Sequence, residues 1–222
     1  MSMLITDPHA HSAVVGAAEA RSVGLPVREL KPYSDWWREI WTIWTRYFTL
    51  APLAPDAAVG TADVSLGLGP IVFPGYLDRM YIVRRTGANE LVVSPTDRWA
   101  EPLQEAFETT LAQNLVVLLG TPRVAPYPWS RTARPALAVD VEVLRFEATT
   151  NGDAELAAAW HIVRLADAAV IAGRTSRITE RAGGGDTDAA VAALSRALGD
   201  LGREIATAVR TEHDAHRDHP RA

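Results

Sequence analysis

The chain has 222 residues, 48% of them hydrophobic and 22% charged, enough for one domain with a full core plus tails. Its net charge of -5 argues against a nucleic-acid partner, which needs clustered cations to neutralise phosphate. Cysteine is absent, which excludes disulfides, thiolate metal sites and a lipid-modified cysteine in the chain as written.

Lys31 is the only lysine, and it follows Leu30 rather than a glycine-rich turn. An ATP-driven motor of the P-loop type needs a lysine directly after such a turn, so this chain is not one. Lysine Schiff-base chemistry is disfavoured on the same ground. No apolar run approaches the ~18 residues that a membrane-spanning helix needs. The N-terminus carries His9, His11, Glu19 and Arg21 where a secretory signal would be uninterruptedly apolar.

Residues 1–32 show no clear periodicity and are expected to form a tail without stable structure. In residues 33–48, Trp37, Ile40, Trp41, Trp44, Tyr47 and Phe48 recur at helical spacing, which predicts a tryptophan-rich helix. Short strands follow. Residues 47–50 are the first candidate, overlapping the end of that helix. Residues 62–72 alternate through Val64, Leu66 and Leu68, and residues 80–84 and 90–94 flank a turn at Gly87, Ala88 and Asn89.

Pro102 suits the first turn of a helix, where a missing N–H is harmless. Leu103, Phe107, Leu111, Leu115 and Leu118 then form one apolar stripe, stopped by Gly120 and Pro122. Residues 134–148 read as a long strand with Leu137, Val139, Val141 and Val143 on one face. Phe146 breaks the parity, which predicts a bulge near Leu144. Asn151, Gly152 and Asp153 signal a hairpin, and strands at 156–162 and 168–179 complete a three-strand run. Asp186 or Thr187 can cap a last helix striped by Val191, Leu194, Leu198, Leu201, Ile205 and Val209. The pattern predicts an α+β fold: one mixed sheet with two main helices packed on one face.

Few residues suggest chemistry. Five of the six histidines lie in the tails, and His161 has the opposite strand parity to Trp160, so it reads as a surface histidine without a nucleophile beside it. His213, His216 and His219 repeat every three residues; a weak metal site competes with a frayed polar tail, and the tail reading is preferred. The glycine run 183–185 lacks a phosphate-binding fingerprint. No catalytic, cofactor or metal residues are assigned.

Tyr76, Leu77, Asp78 and Arg79 follow a Pro74-Gly75 turn and read as a pinned connection in preference to a binding motif. Arg98 and Trp99 stand before the first long helix, with Glu101 near its N-terminus. Asn114 interrupts the apolar side of that helix and is expected to bind a loop backbone. Ser195, Gly199, Gly202 and Ala206 form a stripe of small residues on the last helix. Each interior glycine costs about 0.8–1 kcal/mol against alanine, so a close backbone contact should offset it. The contact is either the first helix or a second subunit, and the reading leans towards a homo-oligomer.

Several blocks together resemble a known family. They are Pro70 with Phe73, Pro74, Gly75 and the Tyr76–Arg79 run; Arg98, Trp99, Pro102 and Leu103; Gln113, Asn114 and the apolar run to Gly120; and Tyr127, Pro128 and Trp129. In order and spacing they resemble the PqiC-like ABC-type transport auxiliary lipoproteins. Tyr47, Phe48, Thr49 and Leu50 resemble the start of the family domain, and residues 193–198 its closing helix.

The resemblance implies a periplasmic domain tethered to the outer membrane, an MCE-domain partner and a role in lipid traffic and membrane integrity. It implies no catalytic site and no cofactor. It divides the chain into a non-family extension at 1–45, the family domain at 46–212 and a polar, His-rich tail at 213–222. The family's lipid-modified cysteine has no counterpart here. A gene-model error at the N-terminus is the preferred explanation, ahead of a lost signal or a tryptophan helix lying in the membrane interface. The leading functional expectation is a non-enzymatic accessory subunit of a lipid transporter. The alternatives are a stand-alone domain binding a small apolar ligand in a groove between helix and sheet and, ranked lowest, a hydrolase.

Overall fold

The structure is a computed structural model. It describes residues 17–22, 24, 34–35, 45–58, 61–130 and 135–218, except the side chains of residues 17, 19 and 216–218. The chain divides into two units, Met1–Thr45 and Arg46–Ala222. In the first, the described residues include a short helix, α1 (Ala17–Ser22). Most of the tryptophan-rich stretch, including Trp37, Trp41 and Trp44, lies outside the described residues.

The second unit is a mixed sheet of eight strands and two long helices. Its strands are β1 (Arg46–Phe48), β2 (Leu66–Val72), β3 (Tyr81–Gly87), β4 (Glu90–Trp99), β5 (Val124–Pro126), β6 (Leu137–Thr149), β7 (Ala154–Arg164) and β8 (Ala169–Glu180). The helices are α2 (Leu103–Leu119) and α3 (Thr187–Asp218). Along the sheet the order is β1-β4-β3-β6-β2-β5, with β7 and then β8 continuing from the other edge of β6.

β6 is the strand on which this order depends. β7 pairs with it antiparallel along its whole length. The opposite edge is shared by two parallel partners, β2 over Leu137–Glu142 and β3 at Ala148 and Thr149. The parity break seen in the sequence is real: the ladder with β7 shifts register between Val143 and Arg145. The extra residue leaves Leu144 exposed and turns Phe146 back into the core, edge-on to Phe107 of α2 at 5.1 Å. The hairpin after β6 turns at Gly152, φ +86°, where an added Cβ would lie 2.6 Å from the Gly184 carbonyl oxygen. Only glycine fits both the backbone and the space.

Both long helices bury one face on the same side of the sheet, as the two stripes require. Phe107, Leu111, Leu115 and Leu119 of α2 and Leu198, Leu201, Ile205 and Val209 of α3 are all fully buried. Burying each such side chain contributes about 1.5–3 kcal/mol, which is what holds the layers together. α2 ends at Gly120 in the left-handed conformation. α3 starts under a cap from Asp186, whose Oδ1 accepts the Ala189 N–H at 2.8 Å.

The structure corrects four local expectations. Arg46, Tyr47 and Phe48 end no helix; they form β1, paired in parallel with Asp97, Arg98 and Trp99. Pro102 is the extended residue before α2 rather than its first turn. β5 is too short, and too rich in proline for its length, to show in the sequence. The expected tail at 213–222 is not frayed from its start, because α3 runs unbroken to Asp218.

A buried carboxylate ties these elements together. Asp97 is 5% exposed. It accepts two hydrogen bonds from the Arg46 guanidinium, at 2.8 and 3.0 Å, and one from the Thr187 hydroxyl at 2.5 Å. Arg84 donates in turn to Thr187 Oγ1 and to the Gly185 carbonyl, both at 3.0 Å. β1, β3, β4 and the start of α3 therefore meet at one anion. Burial alone would raise the Asp97 carboxyl, but the hydrogen bonds from Arg46 and Thr187 outweigh it and hold it below its ordinary value of 3.8.

A depressed folded value means this contribution to stability is complete above pH 3.8 and is lost as the pH falls through the folded value. An Asp97→Asn variant should therefore be less stable than wild type at neutral pH. The gap between their melting temperatures should narrow below pH 3.8. A gap that stays constant down to the acid limit would contradict this account.

Candidate functional site

Two separate sequence signals turn out to serve one contact. Residues 51–53 cross the groove between α2 and α3. The Leu53 N–H donates to Asn114 Oδ1 at 2.7 Å, and the Ala51 N–H donates to Ser195 Oγ at 3.1 Å. The Leu53 side chain lies over Gly199, where a Cβ would come within 2.8 Å of its Cδ2. One step along α3, a Cβ on Gly202 would sit 3.3 Å from Leu118 Cδ1 and 3.4 Å from Asn114 Cβ. Ala206, 2% exposed, continues the row.

The small-residue stripe is therefore filled by this chain's own strap and by α2. The lean towards a second subunit at Ser195, Gly199, Gly202 and Ala206 is corrected: the closeness that offsets the glycine cost lies within one chain. Asn114 is fully buried, and its amide oxygen fixes a loop backbone.

The Tyr76–Arg79 segment follows β2. Gly75–Leu77 makes a single 3-10 turn that drives Leu77 into the core at 3% exposure and leaves Asp78 and Arg79 exposed. Tyr76 is half-buried near a knot of charge on β6. Glu147, 1% exposed, pairs with Arg85 of β3 and lies 3.6 Å from Arg145, which also holds Glu155 at 2.5 Å. Burial, and after it the Glu147 carboxylate, push the Tyr76 hydroxyl up to about 12. Arg98 stacks over the Tyr81 ring at 4.5 Å and donates to its hydroxyl at 2.8 Å. Trp99 is 3% exposed, and its backbone N–H donates to the Met80 carbonyl at 2.7 Å. Arg98 and Trp99 thus pin β4 to the residues leading into β3, and neither lines an open site.

Trp129 packs where a Cβ on Gly67 would otherwise stand, and its indole N–H donates to the Leu68 carbonyl at 3.3 Å. That explains one glycine of β2.

Sequence reasoning missed a cleft at one end of the sheet, with a volume of about 850 Å³. Its wall includes Val64, Leu137, Leu165 and Ile171, its charged groups are Asp63, Arg164 and Glu212, and His213 stands beside them. These residues come from the approach to β2, the start of β6, the end of β7 with the turn that follows it, the start of β8 and the last turns of α3. His213 closes one side, with Nε2 3.1 Å from the Asp63 carbonyl oxygen. No local pattern links these segments.

Nucleophilic chemistry finds little to use. Ser176 is 3% exposed, accepting from the Trp160 indole at 2.9 Å and donating to Glu204. His161 is exposed on its strand. Among the described residues, no three of His, Cys, Asp and Glu are grouped to hold a metal ion, and no helix is long and apolar enough to cross a membrane.

The fold and its sites define a two-layer α+β domain with a strapped helix groove and an end cleft. Over residues 48–206 the sequence matches the ABC-type transport auxiliary lipoprotein component, and the chain belongs to that PqiC-like family. The match runs from the end of β1 into α3, so it takes in the strap, all of α2 and α3 as far as residue 206. The protein is thereby an auxiliary component of ABC-type transport, of a lipoprotein family of the cell envelope.

Solved structures share the fold. Protein XCC0632 from Xanthomonas campestris is 21% identical with a TM-score of 0.65, covering 78% of this chain and 99% of that one. The crystal structure of an uncharacterized protein is 18% identical with a TM-score of 0.60, covering 74% and 98%. No curated protein matches the sequence.

Two outcomes test this geometry. Gly199→Leu should overpack the strap against α3 and lower stability by roughly 1–3 kcal/mol, with unchanged mass in sedimentation velocity. A lighter species at wild-type melting temperature would restore the intersubunit reading. The raised Tyr76 hydroxyl stabilises the fold below pH 10, and that contribution is lost as the pH rises towards about 12. Tyr76→Phe should remove the last tyrosinate step from an alkaline absorbance titration of the folded protein.

Proposed function

We propose that this chain is a non-enzymatic accessory subunit of an ABC/MCE-type lipid-transport system that contributes to membrane integrity. It works on the periplasmic face of the outer membrane, beside a periplasm-spanning MCE-domain protein. The observation that carries the reading is the family match over residues 48–206, which covers the folded unit almost completely. Two others support it. The single lysine lies outside any phosphate-binding loop. Among the described residues, the buried serine Ser176 is held by Trp160 and Glu204 rather than by a histidine.

The end cleft favours a second reading, a stand-alone binding domain for a small apolar ligand, since its volume falls within the about 300–1,000 Å³ usual for ligand sites. The two readings differ in the need for a partner. Tagged protein at native expression level, cross-linked in its host, should recover an MCE-domain protein. Repeated capture without one would sink the accessory reading and leave the stand-alone domain.

A further inference from the structure

We propose that the end cleft binds one acyl chain of a single-tailed amphiphile, with the anionic group of its head on Arg164. The proposal deepens the lipid-transport reading and rests on it for the class of ligand.

The cleft lining joins aliphatic side chains to charged ones. Val64 and Leu137, 2% and 8% exposed, belong to the core itself, so the wall is continuous with it. Leu165 extends that wall outward at 38% exposure. Ile171 is brought there by an irregularity of the sheet. β8 pairs Ala172 with Ile162 and Val170 with Val163, so Ile171 is the extra residue of a bulge. Bulges re-aim side chains, and this one sends an isoleucine to the cleft wall. A wall of aliphatic groups offers a ligand burial but no hydrogen bonds, so the part it takes must be apolar.

The same lining supplies a cation. Arg164 is the last residue of β7, and its ion pair with Asp167, three residues on, spans 3.1 Å across an exposed turn. Such exposed pairs contribute about 0–1 kcal/mol, so a ligand anion can replace Asp167 at little cost. The guanidinium fork suits a carboxylate or a phosphate in two-point contact. The cleft lining holds two acidic groups, Asp63, already paired with Arg123, and Glu212. A ligand apolar along one end and anionic at the other is an amphiphile with one chain. A fatty acid and a lysophospholipid share that chemistry, and separate arms of the test distinguish them.

The test uses the full chain with palmitate and, separately, 1-palmitoyl-lysophosphatidylethanolamine, each below its micelle concentration. Binding is followed by calorimetry and stoichiometry by native mass spectrometry. One ligand per chain is expected for at least one probe; the probe that binds more tightly identifies the head. Ala166→Trp places an indole in the cleft from an exposed turn, and Ile171→Glu places a carboxylate on the apolar wall. Either should abolish saturable binding while Ala166→Trp keeps the wild-type melting temperature. Arg164→Gln should weaken binding of the charged probe about tenfold and leave the uncharged monopalmitoylglycerol unaffected.

Absence of saturable binding by the wild-type chain overturns the proposal. So does binding that survives in a folded Ala166→Trp variant. Partner capture is measured on the same samples. An MCE partner recovered without lipid binding sinks the cleft alone, whereas lipid binding without a partner sinks the accessory reading and leaves the cleft.

Discussion

Where α2 meets α3, a Cβ at Gly202 would press on Leu118 and Asn114 at 3.3 and 3.4 Å, and one at Gly199 would displace the Leu53 side chain from 2.8 Å. The two helices lie side by side on the sheet, with Leu53 of the strap packed against them, where α3 gives up side chains. Each glycine costs the helix about 0.8–1 kcal/mol, which the burial of Leu53 and the two backbone hydrogen bonds to Asn114 and Ser195 offset. Because the strap follows directly from β1, this contact also decides where the first strand joins the sheet.

A second constraint runs through Asp97. It links the outermost strand β1 to β4 and to the start of α3, so the strap is anchored by charge at one end and by Asn114 at the other. Charge is handled differently on β6, where Glu147, 1% exposed, pairs with Arg85 and lies close to Arg145. Glu147 is buried with Arg85 bound to its Oε1 and Arg145 close by, and its Oε2 has no hydrogen-bond partner, so the two cations carry the offset for its lost hydration.

These constraints leave most of the polar groups in fixed structural use. Tyr76, Arg98, Trp99 and Asn114 each have a defined partner or a buried position, and none lines the end cleft. The cleft lies at the opposite end of the reasoning: its groups are weakly held, aliphatic or paired on the surface.

The sequence by itself determined the local units. Period-3.6 stripes placed α2 and α3, alternation placed β6 and β7, the parity of Phe146 located the bulge, and Gly152 with its neighbours located a hairpin. The family blocks could be read because they lie within these units. Tertiary structure decided how the units combine. Nothing local says that β2 and β3 share one edge of β6, that Arg46 begins a strand rather than ending a helix, or that Asn114 and the glycines of α3 answer to the same strap. Ladder pairs such as Leu66 with Leu137, and contacts such as Leu53 with Gly199, join residues far apart in the chain. Periodicity reports which face of an element avoids water. It carries no information about which other element covers that face, and for the same reason it could not show a cleft assembled from the ends of five segments.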